Sequence, residues 1–198
     1  MKKLLLALPI LMFVSCGIFG GADYSPMAVG SVWNYQGYTK TDTTIVTTST
    51  SKTEAKAEAK LTSGEDVVEF VSTTNTTVKA TGQTTTSTSK YYLRDAGDYI
   101  LSYAKLDDTK PDTVLALPLE AGKTWHPDSG VTAKVIAEED VTVKAGDYKA
   151  WKTEYNTAGF ISYTWLADGI GGVHTHSENT VVGIKLIADV ELTSSDIK

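Results

Sequence analysis

The stretch VVGIKLIADVEL (residues 181–192) decides the fold class. Ile184, Leu186, Ala188, Val190 and Leu192 occupy alternate positions, with Lys185, Asp189 and Glu191 between them. A period of two gives one dry and one wet face, which is the pattern of a strand. A helix would need apolar residues spaced by three and four.

The same alternation extends outward. In VTAKVIAEEDVTVKAG (residues 131–146), Val131, Ala133, Val135, Ala137, Val141 and Val143 share one predicted face. TEAKAEAKL (residues 53–61) is made of good helix formers, yet its charges fall on even positions and its alanines on odd ones. The period favours a strand, with a helix as the alternative. As a strand it would turn Ser49, Ser51, Thr53, Ala55, Ala57 and Ala59 inward, all small, leaving room for bulky neighbours or a cavity. The Thr/Ser runs at 43–53 and 73–90 suit strands exposed on one face.

Turn signals recur at hairpin spacing: TSGED (62–66), ATGQ (80–83), DAGD (95–98), DDTKPD (107–112), PDSG (127–130), KAGD (144–147), NTAG (156–159) and ADGIGG (167–172). They leave room for about nine to eleven strands. The expected fold is all-β: a single-domain antiparallel meander forming a curved sheet, half-barrel or barrel that hides its edges.

One phrase occurs twice. PMAVGSVW (26–33) and PLEAGKTW (118–125) both read Pro-x-x-x-Gly-x-x-Trp. Proline ends an extended segment, glycine permits a backbone angle other residues resist, and tryptophan opens the next strand. Two equivalent corners plugged by Trp33 and Trp125 are expected; the alternative is a pair of exposed tryptophans gripping a ligand.

The chain begins MKKLLLALPILMFVSCG. Lys2 and Lys3 precede an apolar run of about eleven residues, too short to span a bilayer core, which takes ~20. Small Ser15 then precedes Cys16, the single cysteine. These residues resemble the lipobox of bacterial lipoproteins, with Phe13 where leucine is usual. The resemblance implies a signal helix over 1–15, a diacylglycerol thioether with palmitate-type chains on Cys16, a tether over 16–25 and a β-rich domain over 26–198. Gly17, in a position where aspartate favours inner-membrane retention, implies the outer membrane of a bacterial envelope. An unpaired cysteine in an exported chain fits that chemistry. Removing the two signal lysines leaves 16 basic against 24 acidic side chains, a net charge of −8. Such a surface disfavours nucleic acid and draws no help from anionic lipid, so membrane contact would come from the lipid on Cys16.

PMAVGSVWNY, VTVKAGDYKAWKTEY and TWLADGIGGVHTHSE also resemble recurrent phrases of uncharacterised bacterial envelope lipoproteins. Here Leu166 stands where tyrosine is usual, and Gly172 where a larger apolar residue is common. The resemblance implies a curved sheet or half-barrel distantly like that of the periplasmic lipoprotein carriers, and it brings no catalytic residues.

No nucleophile elbow, zinc-protease motif or phosphate loop is present, so no enzyme activity and no cofactor are expected. HTHSE would set His174, His176 and Glu178 on one strand face ~6.5 Å apart, as a metal site or as an ordinary solvated face. The aromatic set Trp33, Tyr35, Trp151, Tyr155, Tyr163 and Trp165 is the candidate ligand surface. The expected role is a non-catalytic binding or structural module that shelters an apolar ligand or an envelope partner. A carbohydrate platform of exposed tryptophans is the alternative.

Overall fold

A computed structural model describes residues 23–181 and 183–198. The expected signal helix over 1–15, the expected lipidation at Cys16 and the expected tether as far as residue 22 lie outside the described residues. Twelve strands follow one another: β1 (Val32–Thr41), β2 (Thr44–Lys60), β3 (Asp66–Val78), β4 (Thr84–Asp95), β5 (Tyr99–Tyr103) and β6 (Asp112–Ala116) in the first half, then β7 (Thr124–Trp125), β8 (Val131–Val143), β9 (Gly146–Thr157), β10 (Phe160–Ala167), β11 (Gly171–Val181) and β12 (Ile184–Asp196). TEAKAEAKL lies within β2 and its end, so its period outweighs its helix propensity.

All twelve form one antiparallel sheet in the order β6-β5-β4-β3-β2-β1-β12-β11-β10-β9-β8-β7. The first and last strands pair along β1, where Trp33 faces Ser195 and Tyr35 faces Leu192. The two remaining edges, β6 and β7, meet across a short seam. There the Thr113 N–H donates to Pro127 O at 3.0 Å and the Trp125 indole N–H donates to Thr113 O at 3.1 Å. The result is a nearly closed barrel whose terminal strands are only five and two residues long. Short edges limit pairing with other chains.

The repeated phrase is scaffolding. Gly30 and Gly122 take φ of +93° and +87°. Their N–H groups donate to Ala55 O and Val135 O at 2.8 and 2.9 Å, and Ala55 and Val135 in turn donate to Ser31 O and Lys123 O. Each turn is also closed by one internal bond, Ser31 N–H to Ala28 O and Lys123 N–H to Glu120 O. Trp33 and Trp125 are buried at 5% and 7% exposure. The barrel therefore consists of two six-strand halves, each opened by the same corner.

Ala55 and Val135 also mark the places where sequence alternation misleads. A bulge at Lys56 makes Ala57, not Lys56, the next residue to pair, and a bulge at Ile136 does the same for Ala137. One extra residue exchanges the faces of everything beyond it. Ala57 and Ala59 therefore do not continue the inner row of Ser49, Ser51, Thr53 and Ala55. Ala59 packs instead on the opposite face with Val67, Tyr92 and Tyr103. Likewise Ala137, Val141 and Val143 leave the face that carries Val131, Ala133 and Val135. The stretch at 181–192 is also divided, because Gly183, at φ +78°, turns the chain before β12 begins at Ile184.

The inner face is apolar, with Trp33, Ala55, Phe70 and Leu93 in one cluster and Ile100, Leu115, Trp125 and Val135 in the next. The outer face carries ion pairs such as Lys90–Glu69 and Lys185–Glu178. That polarity is the reverse of a membrane-spanning barrel, which turns an apolar band outward.

Candidate functional site

One recess opens among the aromatic side chains of the inner face. This partly open recess of about 210 Å³ is walled by Trp33 and Tyr35 from β1, Phe70 from β3, Tyr91 and Leu93 from β4, and Tyr155 and Leu166 from β9 and β10. The space exists because facing positions on β2 and β10 are small: Thr53 and Thr164 line it where a larger side chain would fill it. Phe70 stacks on Tyr91 with centroids 5.6 Å apart, and Trp33 leans on Phe70 at 5.9 Å. Tyr35 donates its hydroxyl to Gly172 O at 3.0 Å, which orients the ring across the floor.

One end of this space is stoppered by the chain itself. Tyr24, Ser25 and Pro26 line it, and Met27 packs against both main core clusters. The stopper is held by Asp23, whose N–H donates to Asp168 Oδ1 at 2.6 Å while its carbonyl accepts from Gly169 N at 2.7 Å. Trp151 donates its indole N–H to Tyr24 Oη at 3.1 Å. Residues 23–25, expected as the last part of a tether, are thus docked on the barrel. Beyond them lies a wider cleft of about 580 Å³, rimmed by Asp23, Asp95 and Asp98. Its acidic rim suits an apolar molecule less well than the interior does.

Burial sets the chemistry of the interior. It pushes the phenols of Tyr35 and Tyr91 above their ordinary range, and that of Tyr155 up to about 12. These groups stay neutral at any physiological pH, so the walls offer hydroxyls and aromatic faces without charge.

The predicted aromatic set divides. Trp33, Tyr35 and Tyr155 line the space, and Trp151 stands beside the stopper. Tyr163 and Trp165 do not join them, because on β10 they alternate with the inward Thr164 and Leu166 and lie on the outer face. There the Lys152 ammonium sits over both rings at 4.7 and 4.9 Å, and the Trp165 indole N–H donates to Glu139 Oε1 at 2.6 Å. Phe70, Tyr91 and Leu93 went unread as site residues; their signal was the alternation in VEF (68–70) and YYL (91–93). With Trp33, Trp125 and Trp165 buried and Trp151 half-buried, no coplanar exposed tryptophans form a sugar platform among the described residues.

The histidine cluster also departs from expectation. His174 and His176 share a face as predicted, and both reach one carboxylate: His174 Nε2 lies 3.1 Å from Asp189 Oδ1 and His176 Nδ1 lies 2.9 Å from Asp189 Oδ2. Glu178 pairs with Lys185 instead, and among the described residues no group of three or more His, Cys, Asp or Glu could hold a metal. His174 further stacks on Trp165 at 4.7 Å, so the pair belongs to a cross-strand row that ties β10 to β12.

No protein-family model matches the chain, and no curated protein matches it. The chain is similar to two solved structures. One is a Bacteroides fragilis protein inferred to be exported, with a YmcC-like fold. It superposes with a TM-score of 0.56 at 14% identity, over 88% of this chain and 99% of that one. The other is a Parabacteroides distasonis protein inferred to be a lipoprotein, with a TM-score of 0.47 at 13% identity and the same coverages. At 14% identity the first likeness is one of fold.

Proposed function

We propose that this protein is a lipid-anchored lipoprotein of the bacterial cell envelope, carried to the outer membrane by acyl chains on Cys16, and that its barrel holds an apolar ligand without catalysis. The observation that carries the ligand half is the neutral, largely apolar recess lined by aromatic side chains of the inner face. At about 210 Å³ it is smaller than the ~300–1,000 Å³ of a pocket for a whole drug-sized molecule. It would therefore take the apolar end of an amphiphile and leave the polar end at its open mouth. The lipobox-like residues support the anchor, and the exported protein of similar fold is in keeping with it. Partners on this account are the membrane, through the lipid, and the ligand; an acidic barrel has no use for nucleic acid.

Two measurements test the two halves separately. Labelled palmitate should enter the wild type and not Cys16→Ser; equal incorporation would refute the anchor. A polarity-sensitive apolar fluorophore should brighten on binding wild type and lose that response in Thr53→Phe, which fills the space from within. An unchanged response in the variant would remove the interior as the site.

A further inference from the structure

We propose that the recess selects a ligand with an uncharged carbonyl oxygen next to its apolar part, as an ester or amide of a fatty acid has, and that the Tyr91 hydroxyl donates to that oxygen. The inference rests on the reading of the recess as a site for an amphiphile, and it assigns that amphiphile's first polar atom.

Four phenols line the recess, and three of them are engaged by the protein itself. Tyr35 Oη donates to Gly172 O at 3.0 Å, Tyr155 Oη reaches Val114 O at 3.5 Å, and Tyr24 Oη accepts from the Trp151 indole. The Tyr91 hydroxyl has no hydrogen-bond partner among the described residues, and burial alone pushes its pKa up. It is therefore a neutral O–H with a bond to give. The ring that carries it is held in place. Phe70 stacks on it with centroids 5.6 Å and planes 13° apart, and Trp33 leans on Phe70 in turn.

Position decides what that hydroxyl meets. Leu93, Tyr91 and Ser89 follow one another on one face of β4, and they are buried, half-buried and exposed in that order. Tyr91 thus stands where the face passes from closed to open. An amphiphile seated by its apolar end has its first polar atom there. A carboxylate suits the place badly, because no Lys, Arg or His lines the recess and the charge would go unpaired. A plain hydrocarbon covers the hydroxyl and leaves its bond unmade. A neutral carbonyl oxygen accepts that bond and brings neither a charge nor a second donor to be satisfied.

The test compares methyl naphthyl ketone with ethylnaphthalene substituted at the same ring position, a pair of similar shape that differs in one carbonyl oxygen. Binding of each is measured by equilibrium dialysis against the purified full chain, wild type and Tyr91→Phe. The chain is kept soluble in an amphipathic polymer whose own uptake is subtracted. Tyr91→Phe retains the ring that stacks on Phe70, so far-UV circular dichroism should match wild type. The ratio of ketone to hydrocarbon affinity should be about fivefold higher in wild type than in the variant. The carbonyl stretch of the bound ketone should also lie at lower wavenumber in wild type. Equal ratios and an equal carbonyl stretch, with both probes bound, would overturn the assignment to Tyr91 and leave the recess as a site. A wild type that binds neither probe would remove the recess reading itself, and this inference with it.

Discussion

Trp33 and Trp125 each send an indole N–H to the backbone of another element, Ile170 O at 2.7 Å and Thr113 O at 3.1 Å. Truncation removes a large buried ring and leaves a carbonyl without its donor. Trp33→Ala and Trp125→Ala should each cost ~3–5 kcal/mol, seen as a markedly lower Tm. Thermal scans within a degree or two of wild type would contradict the corner-plug role. Gly30→Ala and Gly122→Ala should each cost more than ~1 kcal/mol, because both residues sit at positive φ. The interior phenols add a pH dependence of defined sign. The folded pKa of Tyr155 lies at about 12 against an ordinary 10.0, so the fold binds that proton more tightly than the unfolded chain does. Its contribution is complete below pH 10 and is lost as pH rises toward 12. Alkaline denaturation should therefore begin in that window, and Tyr155→Phe should resist it better than wild type.

At the scale of strands and turns, the bulge at Lys56 explains both a success and a failure of the sequence. The strand itself was legible, as were the predicted turns, each of which falls at a boundary between strands. The bulge was not, since TEAKAEAKL keeps its period of two straight through it. Pattern reports spacing along the chain, whereas the bulge is specified by the partner: Gly30 docks its N–H on Ala55 O. The turn between β1 and β2 was hidden for a different reason. Asp42 takes φ +52° inside a threonine-rich run with no glycine or proline to mark it. The site was half legible. Aromatics were found, but their faces depend on register, and the split of Tyr163 and Trp165 from Tyr155 needs the pairing of β9 with β10. Deleting Lys56 leaves Ala57 and Ala59 opposite the same β3 partners and on the same face, but removes the bend that the extra residue puts beside the Gly30–Ala55 contact. A loss of ~1–3 kcal/mol in urea unfolding is expected, and stability equal to wild type would mean the bulge is incidental.

For the whole molecule, the two seams between the duplicated halves differ in length although the same corner opens each half. The halves join along all of β1 and β12, but at β6 and β7 they meet through few bonds. Thr113→Pro removes the N–H that reaches Pro127 O while extended backbone remains allowed. It should lower stability by ~0.5–1.5 kcal/mol with unchanged strand content by far-UV circular dichroism. A loss of strand signal would show that the seam is a folding requirement and not a late closure. The barrel's central feature remains the aromatic recess of its inner face, lined in part by residues 24–26 and by neutral phenols. Native mass spectrometry of the full chain purified from the cells that make it tests that feature most directly. The account predicts an adduct of one amphiphile per chain in wild type that is absent from Thr53→Phe. Bare protein in both, or the same adduct in both, would contradict it.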